Sequence, residues 1–135
     1  LIRAMLEQGR VRVQYAIIPL LLRHPEFSAS VQELLASLSP ERVEQLRRLY
    51  MGAVYMQQMY RWVITLYLGP KADLPDYFSR EMNLPSPGEY YGEIGLRQMV
   101  STLPPPIDWW ETFLDPVRMF IRSLSLEEIY GWKTG

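Results

Sequence analysis

The stretch PERVEQLRRLYMGAVYMQQMYRWVITLYL, residues 40–68, decides how the rest of the chain must be read. Ser39 precedes it as a helix-capping residue. Pro40 then occupies the first helical position, where a missing N–H would have had no intrahelical partner anyway. No breaker other than Gly52 intervenes before Gly69-Pro70, so the pattern predicts one helix over about 40–68, roughly 43 Å long at 1.5 Å per residue. Its first two turns are charged (Glu41, Arg42, Glu44, Arg47, Arg48), and after Leu49 apolar residues run almost all round. One seam follows Leu46, Tyr50, Ala53, Tyr60, Ile64 and Tyr67; a second follows Leu49, Met56, Met59, Val63 and Leu66. Two seams require neighbours on two faces, and the helix reads as the hub of a bundle.

Upstream, residues 1–9 read as a short helix closed by Gly9, and 30–38 as another. The segment 11–17 is ambiguous, because Val11, Val13, Tyr15 and Ile17 alternate with Arg12, Gln14 and Ala16 as in a half-buried strand. Helix is preferred there, since no second strand of similar quality exists to pair with it. Downstream, seven of the 11 prolines fall between Pro70 and Pro106, and short helical pieces are predicted at 76–82, 87–103, 108–124 and 126–132. Pro104-Pro105-Pro106 forms a stiff connector. Four capping boxes, Ser30 with Glu33, Ser86 with Glu89, Asp108 with Glu111 and Ser125 with Glu128, mark helix starts. The expectation is an all-α fold, a single compact helical domain spanning 1–135 with about six to eight helices around the long central one. Because residue 1 is Leu1, the domain is compatible with being part of a longer protein.

With 135 residues, 48% hydrophobic, 13% aromatic and 21% charged, the chain can build a true core. The absence of cysteine excludes disulfides, thiolate metal sites and a cysteine nucleophile. The longest charge-free run, Leu49 to Tyr60, is 12 residues, short of the roughly 20 that span a bilayer. Nothing at the start resembles a secretory signal, and a cytoplasmic location is expected. Charge is uneven: residues 1–67 carry 8 Arg against 5 Glu (+3), whereas 68–135 carry 6 basic against 10 acidic residues (−4). That asymmetry suits self-association or a protein partner. Nucleic acid is disfavoured, since neither half has a strong basic excess and the 30–38/40–68 pair lacks a helix-turn-helix connection.

Catalytic chemistry finds little footing. The one histidine, His24, lies at a helix end, where a capping role suffices, and no metal-binding motif or cofactor signature is present. Glu89 and Glu93, with Asp108, Glu111 and Asp115, are the acids that a carboxylate-based enzyme would use, yet several are already assigned to capping. Gly88, Gly92 and Gly95 fit no phosphate loop and read either as a smooth helix face for a bulky ring such as Trp109 or Trp110 or as a mobile loop, the first being preferred. A pocket lined by Tyr55, Met56, Met59 and Trp62, with Gln58 and Arg61 as its polar groups, would suit an apolar or anionic aromatic ligand. Arg61, in an otherwise apolar run, must reach solvent, pair with an acid such as Asp108 or Glu111, or hold an anion. The leading expectation is a non-enzymatic helical interaction or assembly module, with ligand binding second and an enzyme third; no cofactor and no metal are expected.

Overall fold

The computed structural model describes the backbone of residues 1–130 and the side chains of 1–127. Eight α-helices and two 3₁₀ turns, with no strand, are found among the described residues: α1 (Ile2–Glu7), α2 (Val11–Tyr15), α3 (Ile17–Arg23), a turn at Pro25–Phe27, α4 (Ser28–Leu35), α5 (Pro40–Met59), α6 (Arg61–Leu68), a turn at Glu89–Gly92, α7 (Glu93–Ser101) and α8 (Trp109–Tyr130). The all-α expectation holds, including the preference for helix over 11–17. The alternation there is misleading: Val11 faces out, while Gln14 is buried, donating to the Leu6 carbonyl at 3.0 Å and accepting from Gln45 Nε2 at 2.6 Å.

The central helix starts as its sequence dictates. The Ser39 hydroxyl accepts from the Arg42 N–H at 3.4 Å, and Pro40 sits in the first turn. From Leu49 to Gln57 every residue is buried. α3 and α4 pack against α5, as do α7 and the 3₁₀ turn before α7. Close approach is bought at Gly52, where a Cβ would stand 2.9 Å from the Phe113 ring of α8.

The expected single helix over 40–68 is divided at Tyr60, whose φ of −112° and ψ of 15° leave the α region. Bonding continues across the bend, from Tyr60 N–H to the Met56 carbonyl at 2.9 Å and from Ile64 N–H to the Tyr60 carbonyl at 3.0 Å. No proline or glycine marks the point. The bend falls where the all-round cover of α5 ends, and it leaves α6 packed on α8 with Ile64 buried.

Other boundaries move for identifiable reasons. Asp108 does cap α8, its carboxylate accepting from the Glu111 N–H at 3.1 Å, but Glu111 turns to Arg118 instead of reaching back. Ser30 falls inside α4, Ser125 falls inside α8, and Ser86 contributes only its carbonyl to a turn with the Glu89 N–H. The pieces predicted at 108–124 and 126–132 are one helix as far as Tyr130; the end of the second lies outside the described residues. The predicted helix over 76–82 is a chain of turns, begun by the Asp76 carboxylate accepting from the Ser79 N–H at 3.0 Å and ended at Asn83, whose φ is +54°.

The glycine face of α7 receives a ring from α5. A Cβ on Gly95 would lie 2.1 Å from the Tyr55 ring, and one on Gly92 would lie 2.3 Å from the Tyr55 carbonyl oxygen. Neither expected tryptophan fills that place: Trp110 stacks under Arg97 at 4.2 Å, and Trp109 donates to the Pro104 carbonyl at 2.8 Å, tying down the proline connector. Gly88 faces open space.

Replacing Gly95 by alanine should therefore cost about 1–3 kcal/mol through overpacking, read as a lowered Tm. Combining it with Tyr55→Ala should give less than the sum of the single effects, because the second change removes the clash. A second prediction concerns alkali. Burial pushes the hydroxyl pKa of Tyr50 and of Tyr55 well above the ordinary 10.0, with Tyr77 and Asp76 adding to the first and Asp76 and Glu89 to the second. The folded chain thus holds protons that the unfolded chain releases. Their contribution to stability is complete below about pH 10 and declines as pH rises beyond it. Denaturant titrations between about pH 9 and 11 should show that decline, and Tyr50→Phe should flatten it; a flat profile for the unaltered chain would refute the cause.

Candidate functional site

Arg61 opens α6 and its guanidinium reaches Asp73 at 2.5 Å, with both side chains largely in solvent. The partner is an acid of the loop after α6; Asp108 and Glu111 are occupied elsewhere, as cap and as partner of Arg118. The crevice beside Arg61 measures about 10 Å³ and is lined by Gln57, Ile64, Thr65 and Lys71 as well.

The other residues of the expected pocket are distributed around the helix instead of lining that crevice. Tyr55 is fully buried, its hydroxyl donating to the Pro85 carbonyl at 2.7 Å. Met56 is fully buried, and Met59 is half-buried against the core. Gln58 lies under Gly92, and Trp62 stands 73% exposed. Gln57, which is not among the residues of the expected pocket, has a larger part. It is buried, its Nε2 donates to the Ala72 carbonyl at 2.8 Å, and its Oε1 accepts from the Leu74 N–H at 2.8 Å.

What the structure brings to the surface is the end of the second seam. Leu49 and Met56 are buried, Met59 and Val63 are half-buried, and Leu66 is 66% exposed, one turn from Trp62 on α6. Arg61 is the only charged residue in α6, so this face is apolar and uncharged. The bend at Tyr90 and Tyr91 adds two more exposed aromatics. Both have positive φ, 46° and 57°, a conformation that costs a non-glycine residue roughly 1–2 kcal/mol. Gly92, also left-handed, seats this bend on the Tyr55 carbonyl and on Gln58. The sequence signal was there in Glu-Tyr-Tyr-Gly, since glycine permits the close seating, but positive φ at two tyrosines is not something their side chains favour.

Of the acids that a carboxylate-based enzyme would use, Glu93 pairs with Arg97 at 2.8 Å, Glu111 and Asp115 pair with Arg118, and Asp108 caps α8. His24 ends α3 and meets Glu26 at 3.1 Å. Among the described residues no group of three or more acids and histidines is placed to hold a metal ion, and no helix is long and apolar enough to cross a membrane. No family model, curated protein or solved structure matches the chain.

Because the Arg61–Asp73 pair is solvent-exposed, Arg61→Met should change unfolding free energy by less than about 1 kcal/mol in either direction. A loss above about 2 kcal/mol in denaturant titration would show that the pair is a structural anchor.

Proposed function

We propose that the chain is a non-enzymatic helical assembly module that pairs with a second copy of itself through α6. The observation that carries this is the exposed Trp62–Leu66 face, where an apolar seam continuous with the core runs beyond its intramolecular cover. A two-fold pairing of α6 with its counterpart in antiparallel sense sets Trp62 of one copy against Leu66 of the other, so one patch serves both sides. The absence of an acid from α6, with Arg61 already drawn to Asp73, favours a like copy over a charged partner, since self-pairing brings no repulsion between ionised groups. Each buried large side chain contributes about 1.5–3 kcal/mol. Offset by the cost of association, two per copy support reversible pairing in the micromolar range.

Sedimentation equilibrium at micromolar concentration should report a dimer, and Leu66→Glu should return it to monomer with helix content and Tm of the protomer unchanged. A monomer at every concentration would overturn the proposal.

A further inference from the structure

A separate feature lies on the opposite side of the sequence order, where α2 and α3 meet the first half of α8. Two open concavities of about 460 and 240 Å³ adjoin at Val11, Tyr15 and Thr112, which line both, and together make up a groove. Short side chains line part of the larger one: Ala16 at the break between α2 and α3, Pro19 in α3 and Pro116 in α8. Val11 and Met119 leave apolar surface uncovered at its edges.

Most polar side chains lining this groove are bonded within the protein, Gln45 to Gln14 and Trp109 to Pro104 among them, but among the described residues three are not. Tyr15 is only 9% exposed and its ring is fixed edge-on against Phe113 at 5.0 Å, yet its hydroxyl makes no hydrogen bond among the described residues. The oxygen at the ring's tip is not sealed from water, so it is free to donate to a ligand. Burial raises its pKa, so it remains an O–H donor, and the nearby Arg48 pulls the other way. Arg48 lines the smaller concavity and Arg12 the larger, and neither forms an ion pair or hydrogen bond among the described residues. The one acid in the lining, Asp115, is turned to Arg118 at 3.6 Å. An apolar trough ending in an O–H donor and a free guanidinium is complementary to an amphipathic anion.

We infer that this groove binds a free straight-chain monocarboxylate, with its carboxylate at Tyr15 and Arg48 and its alkyl chain along Ala16 and Pro19 toward Met119. The groove uses none of the α6 residues, so the inference stands or falls apart from the pairing of copies.

Isothermal titration with decanoate, kept below its aggregation threshold, tests it against decanol. Decanoate should bind saturably at one site per chain and decanol at least tenfold more weakly, as expected when a charge-assisted hydrogen bond is absent. Arg48→Met should weaken decanoate roughly tenfold and leave decanol unchanged. Met119→Glu, at an exposed position that does not threaten the fold, should weaken both. Failure of decanoate to bind, equal affinity for the alcohol, or indifference to both substitutions in a folded protein would overturn the inference. Equal affinity would assign the groove to a neutral apolar segment instead.

Discussion

A helix buried on every side from Leu49 to Gln57 carries a constraint of its own: Tyr50, Tyr55 and Gln57 bring polar atoms into the core, and each must find a partner there. They find it in the proline-rich chain that follows α6. Tyr50 donates to the Pro75 carbonyl at 2.6 Å, Tyr55 to the Pro85 carbonyl, and Gln57 clasps Ala72 and Leu74. The match is chemical. Proline contributes a carbonyl and no N–H, so a chain rich in proline has a surplus of acceptors, and the tyrosine hydroxyls supply donors. Once held, the segment brings Leu74 and Phe78 into the core and stacks Tyr77 on Tyr50 at 5.1 Å. More than a dozen residues with no helix of their own are thereby fixed without a disulfide.

The same demand explains what could be read from the sequence. The start of α5 was legible because Ser39 and Pro40 act locally, and so was the end of α1, where Gly9 has a φ of +76°. The hub itself was legible because apolar residues around a whole helix can only mean cover around a whole helix. The bend at Tyr60 was not, since it arises from where neighbours stop and no residue announces it. Ser30 and Ser125 obey the capping pattern but lie inside helices, showing that a capping box is permissive: neighbouring residues with good helical propensity carry the helix past it.

For the candidate site the division is similar. Arg61 stands out in the sequence as a charge in an apolar run, but spacing does not choose among acids, and the one it meets lies 12 positions on, in a loop with no helical period. Trp62 and Tyr55 were grouped because they lie near each other in sequence, although α5 turns one inward and α6 turns the other out. The part played by Gln57 is not legible, because an amide on an apolar helix reads as surface until something irregular is known to pass beside it. The groove at Tyr15 depends on contacts between α2 and α8, nearly 100 residues apart, which periodicity within either helix does not encode.

The way the loop after α6 is held divides tolerance to change unequally between two parts of the chain. Its attachment points to Tyr50, Tyr55 and Gln57 of α5 are backbone carbonyls and one backbone N–H, and almost any residue offers a carbonyl; among these points only position 74 must keep its N–H and so refuse proline. The corresponding groups on α5 are particular side chains, a hydroxyl at the tip of a ring or a primary amide, with no substitute among the other residue types at that reach. A population of variants should therefore accumulate diversity at 72, 75 and 85 while rejecting it at 50, 55 and 57, so the irregular segment is the permissive partner and the regular helix the exacting one.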